Sequence, residues 1–126
     1  MNRVAFAFLI SAALAGCAGG GSAATSAPLA ATAAPLSAAL RDFKIEPNQL
    51  SASTPLTISV TSNGPTQHNF TIRDATGSVV AASTDLRTGD SDTVEVPDLA
   101  PGDYTFFCSF AGHESLGMHG TLTVTQ

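Results

Sequence analysis

The sequence predicts an all-β domain, an antiparallel β-sandwich, over residues 40–126. Within this range, apolar and polar residues alternate in short runs, as they do in strands that bury one face. Turns rich in Gly, Pro, Asn and Asp separate most of these runs, and no convincing amphipathic helix is present. Short strands at near-regular spacing without helices are typical of a sandwich, and the length suits a single domain.

The strand pattern appears in seven runs. In the run before the last, alternation places Tyr104, Phe106 and Cys108 on one face, and Thr105 and Phe107 on the other. The predicted strands are 40–46, 55–61, 67–73, 78–82, 90–96, 103–108 and 120–125.

The N-terminal residues 1–16 are predicted to be a lipoprotein signal peptide. Arg3 supplies a positive start, and the apolar stretch 4–13 is too short to span a bilayer as a helix. It is followed by Leu14-Ala15-Gly16-Cys17, which resembles a bacterial lipobox, where the peptide is cut before the cysteine and that cysteine is acylated. An ordinary signal peptide with a chance cysteine is the alternative. We therefore expect lipidation of Cys17.

Residues 17–39 are predicted to be the lipidated cysteine and a tether that leads to the domain. After Cys17 the stretch is almost wholly Ala, Gly, Ser, Thr and Pro, without charge. Such a composition cannot bury enough apolar surface to offset the entropy lost on ordering. An Ala-rich helix is the competing interpretation, which the prolines and glycines disfavour. We expect an exported protein, anchored to a bacterial membrane and facing the periplasm or cell exterior.

The net charge of −5 argues against nucleic acid as a partner, because phosphate binding needs a basic face. Acidic residues concentrate in residues 85–103, where Arg87 is the one basic residue. These acids can simply lie in solvated turns and on a polar strand face, or they can form a patch that steers a basic redox partner. They are Asp85, Asp90, Asp92, Glu95, Asp98 and Asp103.

A metal-binding loop is indicated near the C-terminus, where Cys108, His113 and Met118 occur at Cys-x4-His-x4-Met spacing. One Cys with two His and a weak Met is the ligand set of blue-copper sites. The second imidazole should therefore come from elsewhere in the chain, and His68 begins a strand-like run directly after a turn. His119 should point away from Met118 in an extended segment, so we expect it to be exposed and not a ligand.

These motifs resemble the cupredoxins, the plastocyanin and azurin superfamily of small blue-copper proteins, over roughly residues 40–126. The similarity lies in His68-Asn69, in Pro-Gly-x-Tyr-x-Phe-x-Cys at 101–108, and in the Gly-His and Gly-Met-x-Gly of 112–120. Four residues between Cys and His make the loop similar to those of azurin and auracyanin, although Ala111 stands where azurin-like loops usually carry Pro. The resemblance implies a Greek-key β-sandwich of seven to eight strands.

The resemblance also implies a ligand set and its supports. It places one mononuclear type 1 copper on the chain, with Asn69 and Ser109 tying the two ligand segments together and donating hydrogen bonds near the sulfur. Zinc tolerates Cys and His but fits poorly with a thioether. The implied copper ligands are His68, Cys108, His113 and Met118.

The function that follows is a one-electron carrier and not an enzyme. A copper oxidase or nitrite-reductase-like enzyme needs further imidazoles, and only His119 is left. A Cys-His hydrolase needs a thiolate that is not committed to metal. Copper storage or delivery would use the same ligands and stays open as the alternative.

We expect a monomer that exchanges electrons with redox protein partners through His113. In the resembled family this histidine reaches the surface. Here it has apolar neighbours, Phe110, Ala111 and Leu116, that can form a dry contact patch.

Cys17→Ser should release the protein from membranes when it is expressed in an export-competent bacterium, because the tether has no other apolar anchor. Fractionation followed by immunoblotting measures the release. Retention of the variant in the membrane fraction would refute lipidation as the anchor.

Overall fold

The computed structural model describes residues 35–126, which form two β-sheets. The predicted signal peptide, Cys17 and the predicted tether up to residue 34 lie outside the described residues. Across 35–126 there is no helix long and apolar enough to cross a membrane. The strands are β1 (Leu36–Arg41), β2 (Lys44–Glu46), β3 (Gln49–Ser53), β4 (Leu56–Ser62), β5 (Thr71–Arg73), β6 (Val79–Ala82), β7 (Ser91–Val96), β8 (Gly102–Phe107) and β9 (His119–Thr125).

The predicted all-β sandwich is confirmed, with mixed rather than purely antiparallel sheets. One sheet has the order β2-β1-β4-β7 and the other β3-β9-β8-β5-β6. Two neighbouring pairs, β1 with β4 and β3 with β9, run parallel, and the remaining pairs are antiparallel. Both sheets contribute to one core, because alternate residues of each strand point inward.

Large apolar side chains fill this core. Ile58 and Val60 of β4 are fully buried from one sheet, and Phe106 of β8 and Leu122 of β9 from the other. The ring of Phe106 also stacks on that of Phe70 at a centroid distance of 5.0 Å. Each such side chain contributes about 1.5–3 kcal/mol to stability by leaving water.

The predicted first strand, 40–46, was wrong in its bounds. The chain forms two strands here, because Phe43 adopts a left-handed φ of 60° and reverses the chain between β1 and β2. Phe43 and Ile45 therefore do not share a buried face: Ile45 is buried, whereas Phe43 is 43% exposed. In addition β1 begins at Leu36, so that residues 36–39, assigned to the tether by composition, belong to a strand.

The described residues contain nine strands, where seven to eight were expected. One was missed entirely: β3 (Gln49–Ser53) alternates, but it buries only Leu50 and its other inward residue is the small Ala52, so its apolar signal is weak. The run 67–73 is also shorter than predicted, since only Thr71–Arg73 are in β5. His68 instead forms an isolated bridge with Leu86, through reciprocal backbone hydrogen bonds of 2.9 and 2.7 Å.

Candidate metal centre

Three predicted ligands meet at one end of the sandwich. Nδ1 of His68 lies 3.3 Å from Nδ1 of His113, which lies 3.5 Å from Sγ of Cys108. The three ligand atoms are all within 4.8 Å of one another. Donors bound at ordinary distances in a trigonal plane are about 3.5–3.7 Å apart. The spacing therefore fits one shared metal ion.

Met118 is brought to the same place by the pairing of β8 with β9. Phe107, the last residue of β8, is paired with His119, the first residue of β9. Cys108 and Met118, which lie just beyond this pair, therefore face each other. The amide of Cys108 donates to the carbonyl of Met118 at 3.0 Å, and the amide of Met118 donates to the carbonyl of His113 at 3.0 Å. Both the Cys108 and the Met118 side chains are fully buried.

Asn69 connects the segment of His68 to the segment of Cys108. Its Nδ2 donates to Oγ of Ser109 at 2.8 Å, and its Oδ1 accepts from the Ser109 amide at 2.8 Å. The Asn69 side chain is buried, and Nδ2 also donates to Asp85 at 2.9 Å. A double link across 40 residues of sequence thus holds the two ligand segments in register.

The fully buried His68 has a partner that the sequence did not reveal. Its Nε2 lies 3.1 Å from Oδ1 of Asp42, which also accepts a hydrogen bond of 2.8 Å from Oγ1 of Thr66. This contact between Asp42 and His68 requires glycine at position 64, because a Cβ on Gly64 would lie 2.6 Å from Nε2 of His68. Asp42 is 26 residues away in sequence and falls inside a predicted strand, so no motif marked it.

Electrostatics favour the metal-binding form of this histidine. Burial lowers the pKa of His68 below its ordinary value, and the neighbouring His113 adds to the effect, while the hydrogen bond with Asp42 opposes it. The hydrogen bond from Thr66, followed by that with His68, lowers the pKa of Asp42. A neutral imidazole beside a carboxylate is the state in which histidine binds metal.

The His113 imidazole is only half-buried and is flanked by two aromatic rings. Phe43 meets it edge-on at a centroid distance of 5.7 Å, and Phe110 lies at the same distance, tilted by 44°. Leu116 is 60% exposed in the same loop. Phe43 was not expected here, because its place depends on the left-handed turn after β1.

An ion pair supports the loop where Ala111 replaces the proline of azurin-like loops. Both guanidinium Nη atoms of Arg73 contact the carboxylate of Glu114, the residue after His113. The Arg73 guanidinium also lies 4.3 Å from the centroid of the Phe107 ring. A bidentate ion pair stacked on an aromatic ring restricts the motion of its two side chains more than an ordinary surface ion pair does.

The remaining histidine is not part of the cluster of ligand atoms, and of the acids of 85–103 Asp85 reaches the cluster only through Asn69. The expected exposure of His119 is confirmed, and its Nδ1 is 3.2 Å from the carbonyl of Glu114. Several acids of 85–103 serve as local acceptors: Asp90 for the Arg87 amide, and Asp92 for Thr84.

The chain matches one family model and is similar to known proteins. The family model of the cupredoxin-like domain matches residues 5–124. Auracyanin-B of Chloroflexus aurantiacus is 50% identical over 40 residues, which make up 32% of this chain and only 17% of that relative's length.

Among solved structures, reduced auracyanin from Roseiflexus castenholzii is similar, with a TM-score of 0.63 and 22% identity over 73% of this chain and 97% of that chain. An azurin from Methylomonas sp. strain J has a TM-score of 0.64 and 19% identity, over 73% of this chain and 98% of that chain. At these identities the two structures show a common fold, the predicted cupredoxin-like sandwich.

Asn69→Ala should lower the free energy of unfolding of the metal-free protein by about 1–3 kcal/mol, because several hydrogen bonds of a buried side chain are lost. Urea unfolding measures it. Ser115→Ala is the control, since Ser115 is exposed and donates one hydrogen bond, to Gly112, in the same loop. Equal effects of the two substitutions would show that the Asn69 link is not structural.

Proposed function

Because this chain belongs to the cupredoxin-like domain family, we propose that it is a type 1 copper protein that carries one electron at a time. The observation that supports this most directly is the convergence of the His68, Cys108 and His113 ligand atoms within 4.8 Å. Met118, fully buried and hydrogen-bonded through its backbone to Cys108, would supply the fourth donor, a thioether.

The donor types select copper among the common metals. A thiolate, two imidazoles and a thioether are softer than the oxygen ligands that Mg²⁺ and Ca²⁺ require. Structural zinc sites are closed by Cys and His, and a thioether is not among their ligands. When bound, copper supplies reversible one-electron chemistry and a thiolate charge-transfer absorption.

The fold holds these donors so that little has to move when the charge of the centre changes. The Asn69–Ser109 hydrogen bonds fix the two ligand segments, and the Cys108 amide is bound to the Met118 carbonyl. Full burial of His68, Cys108 and Met118 keeps water from rearranging around them. A dry, preorganised site reduces the reorganisation that accompanies electron transfer.

His113 is the proposed route for the electron, since it is the one partly exposed member of the proposed ligand set. Its surround of Phe43, Phe110 and Leu116 is apolar, so a partner can dock there without desolvating charges. The partner is a second redox protein, and the acids of 85–103 are the alternative docking surface.

Export and a lipid anchor at Cys17 complete the proposal. They are supported by the positive start, the apolar stretch and the Leu14-Ala15-Gly16-Cys17 sequence. An anchored carrier would remain close to membrane-bound partners, which raises its effective concentration there.

The full-length protein should bind one copper and become intensely coloured when oxidised, and Cys108→Ser should abolish the visible band, because the charge transfer requires the thiolate. Visible absorption and EPR of the copper-loaded protein measure this. His119→Ala is the control and should leave both spectra unchanged. A colourless Cu(II) complex of the unchanged protein would refute the type 1 assignment.

Leu116→Glu should slow electron self-exchange at least tenfold while leaving the absorption spectrum unchanged. Two copies that meet at the apolar surface around His113, the patch of Phe43, Phe110 and Leu116, would then bring like charges together. NMR line broadening in mixtures of reduced and oxidised protein measures the rate.

Val79→Glu is the matched control, since Val79 is 59% exposed on β6 and gains the same charge. If both substitutions slow exchange equally, the patch is not the contact surface. If the unchanged protein shows no self-exchange, the carrier role gives way to copper storage or delivery.

A further inference from the structure

We propose that Asp42 is a positioning residue of the metal centre: its carboxylate holds His68 in the tautomer protonated at Nε2 and favours the oxidised metal. The second part rests on the copper function proposed above, whereas the first concerns the protein alone. Nothing in the sequence pattern marks Asp42, and no hydrogen bond of the loop 108–118 depends on it.

The tautomer follows from the partners of the two ring nitrogens. A neutral imidazole has one N–H, and an ionised carboxylate can only accept a hydrogen bond. Nε2 of His68 lies 3.1 Å from Oδ1 of Asp42 and 3.3 Å from Oγ1 of Thr66. Since the Thr66 hydroxyl already donates its proton to Asp42, both neighbours accept from Nε2, and the proton belongs there. Nδ1, which lies 3.3 Å from Nδ1 of His113, then presents its lone pair to the cluster. Since the His68 side chain is fully buried, water does not compete for Nε2.

Three local features place the carboxylate at this point. The left-handed φ of Phe43 makes the sharp turn between β1 and β2 that carries Asp42, and such a φ is uncommon for a large side chain. Oγ1 of Thr66 donates to the same Oδ1 at 2.8 Å, which fixes its orientation. Gly64 leaves the space for the contact, because a Cβ there would lie 2.7 Å from Oδ1 of Asp42.

The negative charge of Asp42 is directed at His68 and not neutralised by the neighbouring cations. Arg41 and Lys44, on either side of the turn, both pair with Glu46, at 3.2 and 2.6 Å. Within residues 35–126, no Lys or Arg side chain pairs with the Asp42 carboxylate, and its basic neighbour is the neutral His68 imidazole at 3.1 Å. A carboxylate behind a ligating imidazole makes the imidazole a stronger donor. It therefore stabilises a doubly charged metal more than a singly charged one.

The first test measures the tautomer in the metal-free full-length protein, by imidazole ¹⁵N NMR at about pH 8, above the ordinary imidazole pKa. We expect His68 of the unchanged protein to be protonated at Nε2. In Asp42→Asn a substantial fraction should shift to the Nδ1–H form, because an amide can donate as well as accept. Predominance of the Nδ1–H form in the unchanged protein would overturn the proposal without any variant.

The second test measures the reduction potential of the copper-loaded protein. Asp42→Asn should raise it, and a tenfold loss of preference for the oxidised ion corresponds to about 59 mV for one electron. Asp103→Asn is the matched control: it removes the same charge from an exposed carboxylate that lies on β8 five residues before Cys108, about 16 Å along the strand. It should leave the tautomer unchanged and move the potential little.

The two measurements separate this inference from the proposed function. If Asp42→Asn keeps the Nε2–H form and shifts the potential no more than Asp103→Asn, Asp42 has no positioning role. If the unchanged protein gives no type 1 copper spectrum, the proposed function fails, and the tautomer measurement still decides the role of Asp42.

Discussion

The double hydrogen bond between Asn69 and Ser109 is the interaction on which the geometry of this metal centre depends. One imidazole and the thiolate come from segments about 40 residues apart, just beyond the last paired residues of β5 and β8, Thr71 and Phe107. A buried amide that accepts from a backbone N–H and donates to a hydroxyl fixes distance and orientation together. The link thus extends the pairing of β5 with β8 to the residues that adjoin both ligands.

Strand register supplies the second constraint. Because Phe107 pairs with His119, the chain leaves β8 and returns to β9 with Cys108 opposite Met118, and nine intervening residues form the loop that carries His113. The loop is kept compact by its own backbone hydrogen bonds and by the Arg73–Glu114 pair, which anchors it to β5. These contacts fix the backbone at this end of the sandwich, although the metal-binding residues there lie in irregular structure.

The turn after β1 serves both imidazoles at once. Asp42 contacts His68 from behind, and the next residue, Phe43, packs its ring against His113 at the surface. One histidine is thereby enclosed and paired with a carboxylate, while the other keeps an exposed edge within an apolar surround. This asymmetry suits the proposed carrier, which would hold its metal on one side and meet a partner on the other.

The sequence by itself determined the features that depend on neighbours in the chain. Period-two alternation revealed the sandwich, and the Cys-x4-His-x4-Met spacing revealed the loop, because strand faces and short loops are local. The tertiary structure alone decided the pairing of β1 with β4, the strand β3 with its single buried Leu50, and the place of Asp42 and Phe43. A left-handed turn and a carboxylate 26 residues from its imidazole leave no periodic signal, since contacts between distant segments follow from packing and not from spacing.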